Sequence, residues 1–176
     1  MSRRTRRSAT VLAVACGLLP GRLAAQAPSL PAWVQADSAG RTVVLALVAR
    51  GGGPEGIATL NGYHHGDHRI VVPVGWTVRW TWANEDSAAS HSLVVMAERE
   101  KLPAQGGAPA FENALTRAVL QGLKPGQHDR TTFGADQAGW YWMLCGVPGH
   151  AIRGEWIGLR VDREATVPRV TGEGQR

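Results

Sequence analysis

Apolar and polar residues alternate through the middle of the chain. Between positions 69 and 82, Ile70, Val72, Val74, Trp76, Val78, Trp80 and Trp82 are all apolar, and the odd positions hold Arg69, Thr77, Arg79 and Thr81. A period of two puts one set of side chains on one face of an extended strand. Pro73 and Gly75 predict a bend between two strand halves. Residues 43–49 are a buried strand closed by Gly51-Gly52-Gly53-Pro54. Residues 57–63, 92–96, 127–133 and 139–145 read as further short strands. In the last, Ile157, Leu159 and Val161 alternate with Gly158, Arg160 and Asp162. Seven or eight short strands with Gly/Pro turns predict an all-β sandwich. One stretch departs from the pattern. Phe111, Ala114, Leu115, Ala118 and Val119 have helical spacing before Gly122, which predicts a short helix around residues 110–121.

The 176 residues allow one domain or a small pair, and 44% hydrophobic with 19% charged residues excludes a disordered chain. The N-terminus changes the reading of charge. Arg3, Arg4, Arg6 and Arg7 precede a short apolar run, and Ala25-Gln26-Ala27 follows it. That order predicts a secretory signal peptide over 1–27 and a secreted or periplasmic protein. A lead-in over 28–40, one domain over 41–163 and a flexible tail over 164–176 complete the expected organisation. The formal charge is +5, but residues 1–27 hold five of the nineteen basic residues and none of the fourteen acidic ones. The exported chain is therefore neutral, and nucleic acid is not an expected partner. Cleavage also removes Cys16, which leaves Cys145 unpaired in an oxidising compartment. An exported lone thiol needs a use: a metal, a nucleophilic role, an intermolecular disulfide or inert burial.

Cys145-Gly-Val-Pro-Gly-His150 ends a strand in a tight loop that can fold the imidazole back beside the thiol. His91 opens another strand after the polar turn 84–90. One thiolate and two imidazoles suit a trigonal copper site with a weak axial ligand. Zinc suits the same donors with Glu155 as a fourth, and a Cys145–His150 nucleophile pair is the enzymatic alternative. His64, His65 and His68 cluster with Asp67 in a Gly-containing turn, which reads as a solvated loop or a second metal site.

At these residues the chain resembles the cupredoxins, the blue copper proteins, and the sulfocyanin branch most. His91-Ser92 and Cys145-Gly-Val-Pro-Gly-His150-Ala-Ile-Arg-Gly154-Glu155-Trp156 carry the likeness. Asn61-Gly62-Tyr63, Val72-Pro73-Val74-Gly75 and Gly122-Leu123-Lys124-Pro125-Gly126 extend it over residues 57–162. The resemblance implies a Greek-key β-sandwich with one copper ion cycling between Cu(I) and Cu(II), held by His91, Cys145 and His150. It implies one-electron transfer with redox protein partners such as cytochromes or an oxidase, in a monomer with no catalytic residue and no small-molecule substrate. Copper storage or delivery and a small copper redox enzyme are the alternatives. In the look-alikes Ser92 suits a hydrogen bond that ties the ligand loops together; Asn84 either does the same or shapes a turn. Val147, Pro148, Ala151 and Ile152 would form an apolar rim around His150. The family's axial position usually holds methionine, and this chain has Glu155 there. A hard carboxylate favours Cu(II), so the potential is expected to be low. Met143 is the substitute axial candidate.

Overall fold

The alternating residues between 69 and 82 form two strands, β4 (His68–Pro73) and β5 (Trp76–Asn84), that lie in different sheets. The bend between them is held by Val74 N–H donating to Asp162 O (3.0 Å) and Gly75 N–H donating to Ala135 O (2.8 Å). The computed structural model describes residues 30–172. One sheet runs β1 (Val34–Asp37), β2 (Thr42–Arg50), β5 and β7 (His128–Ala135), with the short β3 (Thr59–Leu60) against the end of β2. The other runs β10 (Arg169–Gly172), β4, β9 (Trp156–Asp162), β8 (Gly139–Leu144) and β6 (Val94–Ala97). The β2–β5 and β4–β9 pairs are parallel and the remaining pairs antiparallel. This is the all-β sandwich expected from the alternation.

The inward residues of the two sheets make one core. Val43, Leu45 and Leu47 of β2 meet Val78, Trp80 and Trp82 of β5, with Ile70, Tyr141, Met143, Ile157 and Leu159 from the facing sheet. The outer face of β8 is also covered. Trp142 and Leu144 pack with Val94 and Ala151 under Leu102, Leu115 and Val119. Cys145 follows β8 directly, so the chain leaves the sandwich at one end with its thiol fully buried.

The segment around 110–121 is not the expected helix. Asn113 and Ala118 have φ of 64° and 51°, each of which breaks a right-handed helix. The backbone bonds to β6 and its approach instead: Val95 N–H donates to Ala114 O (2.9 Å) and Thr116 N–H to Leu93 O (2.8 Å). The apolar residues then serve two clusters rather than one helix face. Phe111 and Ala114 enter the main core, while Leu115 and Val119 cover the outer one.

Both ends of the domain also differ from expectation. The lead-in supplies β1, paired with β2 from Val34↔Leu45 to Asp37↔Thr42. The tail expected to be flexible supplies β10, paired with β4 from Arg169↔Val71 to Gly172↔His68. The signal peptide expected over 1–27 lies outside the described residues.

Asp162 anchors the tail. Its carboxylate lies 3.5 Å from Arg169 and 3.3 Å from Arg160. The Glu164 N–H donated to it, against a smaller effect of burial and with help from the two arginines, holds its carboxyl below the ordinary value of 3.8. A lowered carboxyl contributes stability above its unfolded value and loses it as pH falls through the folded one. Asp162→Asn is therefore expected to melt at a lower temperature than the parent at neutral pH. The two melting curves, followed by circular dichroism in one metal state, converge in acid. An equal difference at every pH would count against this role.

Candidate metal centre

Four side chains from two stretches of sequence meet at the end of the sandwich. His91 precedes β6, Cys145 follows β8, and His150 and Glu155 lie in the loop from β8 to β9. Each is placed by its backbone. His91 N–H donates to Leu123 O (3.1 Å), and Leu123 N–H donates to His91 O (2.7 Å). Gly122 allows this approach: at φ +73°, a Cβ there would stand 2.9 Å from His91 N. The 145–155 loop closes on itself. Cys145 N–H donates to Glu155 O (3.0 Å), and His150 N–H donates to Val147 O (3.1 Å). A 3-10 turn, Ala151–Arg153, then returns the chain, and Glu155 N–H donates to His150 O (3.2 Å).

The donor atoms face a common point. Nδ1 of His91 and Nδ1 of His150 are 3.3 Å apart. Glu155 Oε2 is 2.8 Å from the first and 3.0 Å from the second. Cys145 Sγ is 3.9 Å from His91 Nδ1 and 3.5 Å from His150 Nδ1. These are the separations expected when four donors each stand about 2 Å from one ion. Glu155 Oε1 is buried with no hydrogen-bond partner, so the carboxylate keeps an unused acceptor beside the donors. The donor set therefore fits a metal. Among the described residues this is also the group of His, Cys, Asp and Glu that converges this way. The His64, His65 and His68 side chains do not converge. Their turn is not simply solvated either: His65 N–H donates to Gly154 O (2.7 Å) and Gly66 N–H to Trp156 O (3.0 Å), so it braces both flanks of Glu155. Met143 sits in the main core.

The hydrogen bonds behind the donors agree with the sequence in part. Ser92 N–H points at Cys145 Sγ (3.4 Å), and its hydroxyl donates to Val119 O (2.7 Å) and accepts from Gly146 N–H (2.9 Å). One serine thus ties three segments around the thiol. Asn84 Nδ2 donates to Ala89 O and Leu123 O, both at 2.8 Å, and its Oδ1 accepts from Asp86 N–H (2.9 Å). Sequence reasoning missed Asp86, whose Oδ2 lies 2.9 Å from His91 Nε2. Nothing in the acidic pair Glu85-Asp86 marks which one turns inward.

Charge is concentrated here out of water. His91 and Glu155 are each 1% exposed. Burial works against a charged His91, but hydrogen bonds and charges from Glu155 and then Asp86 raise its pKa. Burial likewise works against an ionised Glu155, and the hydrogen bonds of His150 and His91 lower its pKa. For Cys145 the N–H groups of Ser92 and Val147 help the thiolate too little. Burial first, then the Glu155 charge, push its thiol far up. A buried thiol held in its protonated form is a poor nucleophile, which weighs against the Cys145–His150 enzyme reading. A metal ion that takes the thiolate has to displace that proton.

Comparisons with known proteins bear on the ion's identity. A family model described as the sulfocyanin (SoxE) domain matches residues 30–172. The chain is similar to sulfocyanin from Sulfolobus acidocaldarius, 28% identical over 139 residues that span 75% of this chain and 69% of that protein. Among solved structures it is similar to a histidine-to-methionine variant of rusticyanin. Identity is 20%, the TM-score is 0.50, and coverage is 74% of this chain and 87% of that one. A multicopper oxidase gives 18% identity and a TM-score of 0.52 over 75% of this chain and 47% of that one. The two structural likenesses are likenesses of fold.

The raised thiol sets a measurable expectation. Uptake of Cu(II) is expected to release protons, and its apparent affinity is expected to rise from acid to neutral pH. A pH-stat titration with copper checks the first and competition with a chelator across pH checks the second. Uptake with no proton released would remove Cys145 from the donor set.

Proposed function

The chain belongs to the sulfocyanin (SoxE) domain family, and from that premise we propose that it is an exported copper protein carrying single electrons between redox partners. The observation that carries this reading is the convergence of His91, Cys145, His150 and Glu155 at the end of the sandwich. One copper ion held there would supply a one-electron couple. The residues around it suit that use. Cys145 offers a soft thiolate and the imidazoles tolerate either oxidation state. Backbone hydrogen bonds fix His91 against Leu123 and close the 145–155 loop that carries the other three donors, so little has to move when the charge changes. Glu155 would add a hard anionic donor, which favours Cu(II).

His150 is the electron exit in this reading. It is the least buried of the four donors, and Val147, Pro148 and Ile152 lie in its loop, with Ile152 57% exposed. Ala151, expected in that rim, turns inward and is fully buried in the outer cluster. A small apolar rim suits brief contact with a redox protein better than a lasting complex. The partner's identity, the signal-directed export and the monomeric state belong to this proposal.

A second reading draws on one specific feature. A half-open cleft of about 560 Å³ reaches His91, His150 and Glu155, walled by Gly51, Gly52, Ile57, Ala89 and Arg153. Such access favours a copper ion that takes an outside ligand, as a small redox enzyme requires. Azide added to the Cu(II) protein separates the two readings. An unchanged spectrum supports the carrier, and a saturable new band supports the ligand-accessible site.

The main test is the visible spectrum during stoichiometric Cu(II) addition. An intense thiolate-to-copper band is expected, and Cys145→Ser is expected to abolish it with the far-ultraviolet circular dichroism unchanged. A band that survives in that variant overturns the ligand assignment. Glu155→Met exchanges a hard donor for a soft one. It is expected to favour Cu(I) by at least tenfold, about 59 mV for a one-electron couple. An unmoved potential would take Glu155 out of the axial role.

A further inference from the structure

We propose that Asp86 is a positioning residue for the metal centre: it selects the His91 nitrogen that faces the donors and, through that imidazole, lowers the reduction potential. The inference rests on the reading of His91 as a ligand.

The geometry around Asp86 leaves its carboxylate one orientation. Its N–H donates to Asn84 Oδ1 (2.9 Å), which fixes the turn. Its Oδ1 accepts from Ala88 N–H (2.7 Å), and its Oδ2 lies 2.9 Å from His91 Nε2. The carboxylate also rests against Gly51, where a Cβ would fall 2.5 Å from Oδ2. Any side chain at position 51 would displace the oxygen that reaches His91. Asp86 is 8% exposed overall. Glu85, one residue earlier, points away to Arg50 at 2.8 Å. Of two adjacent acids, the fold buries one against the histidine and spends the other on a surface pair.

The chemistry follows from which atoms meet. Imidazole has two nitrogens, and a neutral ring protonates one of them. Nε2–H donated to the Asp86 carboxylate leaves the Nδ1 lone pair for the donor cluster, and Nδ1 is the atom that faces Glu155, His150 and Cys145. A carboxylate acceptor also makes the ring a stronger donor than a neutral acceptor does. A stronger nitrogen donor with a buried negative charge behind it stabilises Cu(II) more than Cu(I). Asp86 and Glu155 therefore act in the same direction on either side of His91.

Asp86→Asn tests this: the amide oxygen can still accept from Nε2–H, while the charge is lost together with the bond from Ala88 N–H, against which the NH2 group would stand. The copper-loaded variant is expected to keep the charge-transfer band and to favour Cu(I) by about tenfold, which is 59 mV for one electron. A measurement without substitution runs beside it. In the Cu(I) protein, nitrogen-15 spectra of the histidine rings are expected to show His91 protonated at Nε2 and not at Nδ1. The opposite tautomer overturns the proposal, as does a potential in Asp86→Asn within twofold of the parent in Cu(I) preference. The outcomes also separate this inference from the one beneath it. If His91→Gly leaves the parent's charge-transfer band and potential intact, His91 is not a ligand and both readings fall. If His91→Gly alters them and Asp86→Asn does not, only the role of Asp86 falls.

Discussion

A carboxylate taken out of water must find positive charge or hydrogen bonds, or it loses its proton balance to burial. Glu155 is such a group, 1% exposed at the end of an apolar core. Its compensation comes from two imidazoles at 2.8 and 3.0 Å. His91 is just as buried and stands between Glu155 and a second carboxylate. The end of the sandwich is thus organised around one knot of opposite charge. None of its members tolerates isolation, and backbone hydrogen bonds hold them in place, some of them between the members themselves: Cys145 N–H donates to Glu155 O, and Glu155 N–H to His150 O. The turn at 64–68 clamps the flanks of Glu155, the Gly122–Leu123 turn clamps His91, and Ser92 gathers the chain around Cys145.

The knot also explains the division between sheet and loop. The strands provide two apolar faces and bring three chain crossings to one end. They cannot provide donors, because a strand interior that alternates inward and outward has room for apolar residues on the inner side. Cys145 is the exception that proves useful: it continues the inward row of Tyr141 and Met143 by one step, just past the last residue of β8. The thiol is therefore as buried as a core residue and still faces the loop donors. That position buries the sulfur completely, and burial raises its pKa, so an ion that takes the thiolate has to displace a proton.

Much of this was legible in the sequence, and the failures share a cause. The period-two run between 69 and 82 identified both strands and the bend, because alternation reports directly on which face is buried. The convergence of these four side chains was legible because Cys145, His150 and Glu155 fall within one loop and His91 beside a strand start. The stretch around 110–121 misled because helical spacing is a statement about a single face. Phe111 and Leu115 there serve two different clusters, and two residues with positive φ break the helix. The strands at 34–37 and 169–172 were missed for a different reason. Edge strands such as these bury little, so they show no hydrophobic period and are held by pairing to β2 and β4. Asp86 belongs with these misses. Its inward turn is decided by the Asn84 and Gly51 contacts, which come from separate positions in the chain.

The choice of a carboxylate where relatives of this kind usually carry a thioether has to be weighed with that second acid. A single anionic axial group would be expected to shift the balance toward Cu(II) and also to attract a proton, weakening its own effect. In the metal-free protein the two imidazoles hold the Glu155 pKa below the ordinary carboxylate value in spite of burial; an ion that takes both Nδ1 atoms would itself favour the ionised carboxylate. Asp86 is held ionised as well: burial raises its pKa, but the Ala88 hydrogen bond and the contact with His91 outweigh that. Two fixed anions on one histidine would then give a bound copper ion a persistent preference for Cu(II). In the proposed role of carrier, such a centre would receive electrons from a strong donor and pass them on readily, its range set by charges held beside the ion rather than by a ligand bond stretched to be weak.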